Sequence, residues 1–544
     1  MLKRDIYAAV ASNNDLPSDE IVNIAKEDVR ESHKELSRVE AEMQQLEERM
    51  ERLKEEKKSI QRDLEFYSCI LAPIRRLPFD MLEEIFLRCL STDDTRPSTL
   101  TDIEEAPLLL MQVCRTWRQA CLSCPRLWTS LRLEDDDIRA DSSQVEDLCW
   151  RIQEWFSRSG QCPIHIVMSS TRRSIAGYMQ EGQKSVVDAL LPVMRRCDTL
   201  YLFGEHQPFM ELLSPETLVS LRCVRIIPAK GGYPTRNWQP LANLMAAPNL
   251  RHFTCNAGLP SDIGTKDIPF HLSPHLTRLT LQRPGGSYQD VLSVLQKLHG
   301  LQTLKIVFKD NPKLAEAIVP VKVSLPSLKT LFLLDFTDPF GTEKFLDCLI
   351  DLASLSSFYY QPSRSLSRIA DEALYQDAVK NGLSFAAYTL LTKNIDPMNL
   401  TNLSIPLGLN RDQVLDCFRT LPYIAELNLH RASTRRNRKM DSFELDPLIL
   451  QPNSPVLLPR LRTISIKNSR RITDESVVQF TISRIQALPC SDTADGKVAV
   501  LETIEGVFLR KEQQDIASAV RQYVIDAGIE KVPHAKFTYE PYSY

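Results

Sequence analysis

The sequence predicts a mixed α and α/β chain with a long N-terminal helix, a small helical module and a solenoid of α/β repeats. Three observations indicate this fold class. A seven-residue apolar pattern runs without interruption through residues 22–71. Short amphipathic stretches fill residues 73–133. From about residue 197 the phrase Leu-x-x-Leu-x-Leu recurs, and the copies that begin at residues 250, 276, 301 and 328 are 26, 25 and 27 residues apart.

The composition is that of an ordinary globular chain, and 544 residues are enough for more than one core. A net charge of −4 gives no reason to expect nucleic acid as a partner. Thirteen scattered cysteines suit a reducing compartment. No apolar run approaches the length of a bilayer, and the first residues, MLKRDIYAAVASNND, lack a signal-peptide pattern. We therefore expect no membrane partner and a location in the cytoplasm, the nucleus or both.

The N-terminal part is predicted as a flexible tail over residues 1–21 and one coiled-coil helix over residues 22–72. Steps of three and four residues define its apolar seam, which consists of Val22, Ala25, Val29, Ser32, Leu36, Val39, Met43, Leu46, Met50, Leu53, Lys57, Ile60, Leu64, Tyr67 and Leu71. A helix of roughly 75 Å cannot fold back on itself without a break, so the seam needs a partner. One interpretation is a homodimer through residues 22–71, with Lys57 selecting the register. The other is a single charged helix that packs on the following module.

Residues 73–133 contain two amphipathic stretches on either side of a polar insert, residues 91–105. Leu77-Pro78 ends the long helix and opens a new one. The apolar positions of the first stretch are Leu82, Ile85, Phe86 and Leu90, and those of the second are Leu110, Val113, Cys114 and Trp117, followed by Leu127-Trp128. Helices this short must pack on one another or on a partner.

This ordered set of features resembles an F-box, in the long-linker form of fungal F-box-like proteins. The insert 91–105 departs from the usual spacing of the family. The resemblance implies docking on a Skp-type adaptor and, through it, on a cullin-based ubiquitin ligase. It implies that the adaptor-binding residues are Pro73, Ile74, Leu77, Pro78, Leu82, Ile85, Phe86, Leu90, Val113, Cys114, Trp117, Leu127 and Trp128. The alternative for this stretch is a helical subdomain that only caps the solenoid.

The remainder is predicted as a helical linker region over residues 134–196, a solenoid over residues 197–510, and a capping helix with a tail over residues 511–544. Further clear copies of the phrase begin at residues 400, 424 and 461, and weaker ones lie near residues 199, 221, 355 and 501. Helical spacing precedes several copies, so one repeat is a helix followed by a short strand, and stacked repeats form a parallel sheet. This part resembles a degenerate leucine-rich repeat domain.

The sequence shows no motif that carries bond chemistry. It has no Gly-rich phosphate loop and no paired-His metal helix. Cys121-x-x-Cys124 has no second pair to complete a metal site, so we interpret both thiols as packing groups. We expect no catalytic residue, metal or cofactor. The basic cluster at residues 435–439 is open to three interpretations: a solvated loop, a nuclear import signal or a patch for an acidic partner.

These observations favour a non-catalytic, substrate-recognition subunit of a Skp–cullin–F-box ubiquitin ligase. Its unknown protein substrate would contact outward strand positions such as Arg251, His252, Thr277, Arg278, Gln302, Lys305, Lys329 and Glu426. The main alternative is a non-ligase scaffold that uses the coiled coil and the solenoid for protein–protein interaction. A second alternative, an enzyme with an unrecognised site, predicts clustered polar side chains in a deep pocket.

Overall fold

A computed structural model describes most of the chain. The described residues are 8, 12, 16–134, 142–170, 181–204, 206–228, 239–256, 272–282, 288–307, 321–336, 339–362, 385–431, 444–451, 454–485, 498–529 and 532–540. The basic cluster at residues 435–439 and most of the predicted tail, residues 1–21, lie outside them. The chain separates into two compact units, Met1–Leu82 and Glu83–Tyr544, which are described in turn.

The first unit contains the predicted long helix, α1 (Asp19–Leu71), whose 53 residues begin slightly before the expected start at residue 22. Asp19 and Glu20 lie in its first turn, where negative charge stabilises a helix. No residue of α1 is buried within the described chain. Pro73 follows and opens a 3₁₀ turn, Pro73–Arg76. The prediction of a long N-terminal helix is confirmed.

The next helix, α2 (Phe79–Cys89), spans the boundary between the units. The second unit continues with two short helices, α3 (Leu110–Val113) and α4 (Arg115–Ser123), and a 3₁₀ turn, Pro125–Trp128. Together with the Leu77-Pro78 pair, these elements occupy the stretch predicted as a helical module.

A parallel sheet of 14 strands makes up most of the second unit, and its strands are ordered as they occur in the sequence. The strands are β1 (Ser130–Glu134), β2 (Ile164–Ser169), β3 (Cys197–Phe203), β4 (Cys223–Ile227), β5 (His252–Cys255), β6 (Arg278–Gln282), β7 (Thr303–Val307), β9 (Thr330–Phe336), β11 (Ser357–Pro362), β12 (Asn402–Pro406), β13 (Glu426–His430), β14 (Thr463–Ser469), β15 (Thr503–Phe508) and β16 (His534–Tyr539). Two short strands, β8 (Val323–Ser324) and β10 (Leu349–Ile350), pair with each other.

Helices occupy many of the connections between strands. They are α5 (Ser142–Arg158), α6 (Glu181–Leu190), α7 (Gln207–Glu211), α8 (Gln239–Met245), α9 (Tyr288–Leu295), α10 (Pro339–Asp347), α11 (Arg411–Thr420), α12 (Asp474–Ser483) and α13 (Ile516–Asp526). Sequential parallel strands require such crossover connections. This mixed architecture is compatible with an α/β solenoid-like fold. Within the described residues, no helix is both long enough and apolar enough to span a membrane.

The core follows from the alternation of residues along each strand. In β6, Leu279 and Leu281 are fully buried, whereas Arg278, which precedes Leu279, is exposed. The parallel register places Leu279 beside Leu304 of β7, and Leu304 beside Leu331 of β9. Each apolar position of the repeat phrase therefore joins a continuous row that is buried against the helices.

The sheet begins earlier and ends later than the predicted limits of residues 197–510. Strand β2 lies inside the predicted helical linker, and β16 lies inside the predicted C-terminal tail. Within the region predicted as a helical linker, α5 is present, and its carboxyl end is capped by Arg196, whose guanidinium donates to the carbonyls of Phe156 (3.2 Å) and Gly160.

Candidate functional site

Helix α2 has apolar side chains on two faces. Leu82 and Phe86 are buried, with 2% and 0% of their surface exposed. Met81 and Ile85, four residues apart on another face, are exposed by 51% and 36%, and Phe79 in the first turn is exposed by 44%. A helix that buries only one of two apolar faces leaves the other for solvent or for a partner.

Two contacts join α2 to the second half of the module. The ring of Phe86 packs on Trp117, with 4.9 Å between ring centroids. The Glu84 carboxylate pairs with Arg126 at 3.5 Å, but both side chains are largely exposed and the pair contributes little stability. The contact between Phe86 and Trp117 is therefore the main link between α2 and the second half of the module. Both residues are among those predicted to bind the adaptor.

Trp128 connects the module to the start of the sheet. Its side chain is fully buried, and its indole Nε1 donates a hydrogen bond of 2.9 Å to the carbonyl of Cys121. Its ring lies edge-on to Trp155 at 4.8 Å, and the guanidinium of Arg158 lies 4.6 Å from its centroid. Because Trp155 and Arg158 belong to α5, the module and the sheet share this part of the core.

The second half of the module also has an exposed apolar face. Val113 and Leu109 are exposed by 55% and 45%. The Cys114 thiol has a structural role, because its Sγ accepts from the amide of Trp117 at 3.4 Å and caps the start of α4. Arg118 then donates to the carbonyl of Met111 at 3.0 Å, which fixes the angle between α3 and α4.

The thirteen residues predicted to bind an adaptor fall into three groups. Leu82, Phe86, Leu127 and Trp128 are buried within the chain. Leu77, Leu90 and Trp117 are half-buried, and Pro73, Ile74, Pro78, Ile85, Val113 and Cys114 are exposed. Three further apolar residues of the module, Phe79, Met81 and Leu109, are exposed and were not among the predicted contact residues.

The polar insert, residues 91–105, adds to the edge of the sheet. Thr99 pairs in parallel with Arg132 of β1, and the Arg132 amide donates to the Ser98 carbonyl at 2.9 Å. Ser98, Thr99 and Leu100 are buried, and the Ser98 hydroxyl donates to the Ala106 carbonyl. Pairing of this kind covers the otherwise free edge of β1. The insert is thus a structural connection between α2 and the sheet.

An acidic turn begins this insert. Hydrogen bonds from the hydroxyl (2.7 Å) and the amide (2.9 Å) of Thr95 lower the pKa of Asp93, with smaller contributions from Arg96 and Arg225. Asp94 is among the charges that act on His165 and Tyr201. These interactions place the turn near the outward side of β2, β3 and β4.

Cys121 and Cys124 are buried and pack within the core. Burial raises the pKa of the Cys121 thiol to about 12, and it also raises the pKa of Cys124, so both remain protonated at neutral pH. Within the described part of the chain, no three His, Cys, Asp or Glu side chains come together as metal ligands would.

The sequence matches no protein-family model, and a search of curated proteins found no similar sequence.

Proposed function

We propose that this protein is a substrate-recognition subunit of a Skp–cullin–F-box ubiquitin ligase. The helical module would be the F-box, which binds a Skp-type adaptor, and the strands of the sheet would be degenerate leucine-rich repeats that bind a target protein. The observation that carries the proposal is the Leu77-Pro78 entry into a helix whose second apolar face, with Met81 and Ile85, is exposed. The chain would contribute recognition, and other subunits would perform the ubiquitin transfer.

The buried and exposed groups of the module would have separate tasks. Phe86, Trp117 and Trp128 would hold the helices together and attach them to the sheet. Ile85 and Val113 would supply apolar contact area to the adaptor. Truncation of an anchor at the centre of such an interface costs about 2 kcal/mol or more, which is roughly a 30-fold loss of affinity.

A scaffold without ligase activity is the second candidate, and the exposed seam of α1 favours it as much as it favours the first. Eleven apolar residues of the seam are exposed by 43% to 72%, namely Val29, Leu36, Val39, Met43, Leu46, Met50, Leu53, Ile60, Leu64, Tyr67 and Leu71. We propose that a second copy of α1 covers this seam, since a seven-residue repeat sustained over this length is typical of a coiled coil.

Co-purification of the full chain with a Skp-type adaptor and a cullin tests the proposal. The variants are Ile85→Ala combined with Val113→Ala, and the matched control is Met398→Ala, an apolar residue in the sheet region that is 59% exposed. We expect the double variant to lose adaptor binding by at least about tenfold while its thermal midpoint is unchanged. The control should bind like the wild type.

Each outcome assigns a function. Recovery of adaptor and cullin together supports the ligase subunit, and recovery of the adaptor alone supports the scaffold. Absence of any adaptor, with the double variant indistinguishable from the wild type, would refute the F-box interpretation.

A further inference from the structure

Four cationic or titratable side chains lie on four consecutive strands of the sheet. They are Arg225 of β4, His252 of β5, Arg278 of β6 and Lys305 of β7, here called the cationic strip. Arg225 and Lys305 are each flanked along the strand by buried apolar residues, and His252 and Arg278 directly precede the buried Phe253 and Leu279, so all four point away from the core. The register places His252 directly beside Arg278.

An aromatic pair continues the cationic strip on the same side of the sheet. Phe332 of β9 and Tyr359 of β11 are register partners, and their rings stack at 4.2 Å with 12° between planes. Both are half-buried. Lys305 is the register partner of Phe332, and its Nζ lies 5.9 Å from the Phe332 ring. The positive charge thus leads directly into an apolar platform.

Among the described residues, few carboxylates compensate the positive charge of the cationic strip. The six strand segments from β4 to β11 contain a single carboxylate, that of Asp335. Within the described chain, Arg278 and Lys305 make no ion pair, whereas Arg222 at the edge of β4 pairs with Asp198 at 3.1 Å. Burial lowers the pKa of His252, and Arg278 and Arg251 lower it further against a smaller opposing effect of Asp198. His252 is therefore mainly uncharged at neutral pH, and an anionic group bound beside it would favour its protonation.

At the Arg225 end of the cationic strip, an acidic turn of this chain lies close to the surface. The turn at Asp93 and Asp94 lies within electrostatic range of Arg225, where the cationic strip begins. Tyr201 is only 6% exposed there, and Arg225 lies 4.7 Å from its ring centroid. The proximity of Asp93 and Asp94 to Arg225 indicates that acidic groups complement the charge of this face. Beyond Arg225, the exposed Arg278 is free of such a partner among the described residues.

We propose that the cationic strip and the aromatic pair bind an acidic, extended segment of the target protein, with an apolar side chain of that segment on Phe332 and Tyr359. This inference rests on the proposed function, because it names the target class of the repeat surface. Strands lie about 4.8 Å apart, so the five steps from β4 to β11 cover roughly 24 Å. At about 3.3 Å per residue, the bound segment has roughly seven residues.

Fluorescence anisotropy with the full chain tests the proposal. The probes are a labelled peptide, Asp-Glu-Asp-Glu-Ser-Leu-Trp, the same peptide in reverse order, and a neutral version with Asn and Gln. We expect at least one acidic peptide to bind, with affinity that falls as salt rises, and the neutral peptide to bind at least about tenfold more weakly. Binding should shift the pKa of His252 upward, as histidine resonances measured by NMR would show.

Charge reversal supplies the second measurement. Arg278→Glu combined with Lys305→Glu should weaken the acidic peptide at least about tenfold, and Phe332→Ala should weaken it without changing the salt dependence. The matched control is Lys467→Glu on β14, which is exposed and lies outside the strip. Thermal midpoints confirm that each variant is folded.

Three results would overturn the proposal: equal binding of the neutral peptide, no effect of the double reversal, or tighter binding of a single-stranded oligonucleotide of equal charge. Adaptor co-purification separates this inference from the proposed function. If the peptide binds but no adaptor does, the strip is an acidic-segment site on a scaffold. If the adaptor binds but neither acidic peptide does, the inference about the target class fails and the ligase proposal stands.

Discussion

The carboxylate of Asp474 joins β16 and the connection after β15 to α12, and its replacement by Asn is the sharpest test of how the C-terminal end is held. The side chain is fully buried at the first turn of α12. Its Oδ2 accepts from the amides of Gln513 (2.6 Å) and Gln514 (3.0 Å). Its Oδ1 accepts from the Tyr539 hydroxyl at 2.9 Å and from the guanidinium of Arg510.

The expected cost follows from these four donors. Burial raises the pKa of Asp474, but the bonds from Arg510, Gln513, Gln514 and Tyr539 outweigh it and lower the net pKa. The group is therefore an anion at neutral pH. An asparagine of the same shape replaces one acceptor oxygen by an NH₂ donor, so two donors lose their acceptor whichever way the amide points. Breaking a buried charged pair costs about 3–5 kcal/mol, and we expect Asp474→Asn to lower the free energy of unfolding by that amount.

Hydrogen exchange is the appropriate assay, because a chain of this size need not unfold in one step. We expect Asp474→Asn to increase exchange in β15, β16 and the 509–515 connection before it affects β5 to β7. Tyr539→Phe, which removes one donor, should cost only about 1 kcal/mol. The control is Asp446→Asn, an exposed carboxylate that accepts from the Ser476 hydroxyl at 3.1 Å. Unchanged protection of β16 in Asp474→Asn would refute the reasoning.

Three further predictions concern the other parts of the molecule. Leu46→Asp in the seam of α1 should convert a dimer of the full chain to a monomer in sedimentation equilibrium, whereas the neighbouring Gln45→Asp should not; a wild-type monomer at micromolar concentration would exclude the dimer. Burial lowers the pKa of His430 in the folded state, so the unfolded chain binds the proton more readily. The thermal midpoint should therefore fall as pH drops below 6.5, and this fall should be smaller in His430→Gln; an equal fall in both would contradict it. Trp128→Ala should cost about 3–5 kcal/mol and abolish adaptor binding through unfolding, unlike Ile85→Ala; a folded, non-binding Trp128→Ala would contradict this assignment.

The strands that the sequence predicted are those in which the repeat phrase coincides with burial on one face. Leu279 and Leu281 of β6 are of this kind, with exposed or half-exposed neighbours. Strand β2 was missed because Ile166, Val167 and Met168 are all buried, which removes the alternation on which the phrase depends. Strand β16 was missed for the opposite reason: its residues alternate between exposed and half-buried, so it has no strong apolar positions.

The candidate site was predicted as a set of positions and not as a surface. The spacing of Leu82 and Phe86 correctly marks one face of α2, but spacing alone does not distinguish a face buried within the chain from one available to a partner. Burial in the structure makes that distinction. The cationic strip required the register of the sheet, because Arg225, His252, Arg278 and Lys305 are separated by 80 residues of sequence, from position 225 to position 305.

The insert 91–105 has the largest consequence for how the second unit would work. A flexible linker here would let the module move relative to the sheet. Instead, Thr99 pairs with Arg132 on β1, and Trp128 packs against Trp155 of α5. Both contacts join the module to the first layers of the sheet. A partner that binds at Ile85 and Val113 would therefore be held at a fixed position relative to a target on the cationic strip, because the elements that carry the two surfaces share one core.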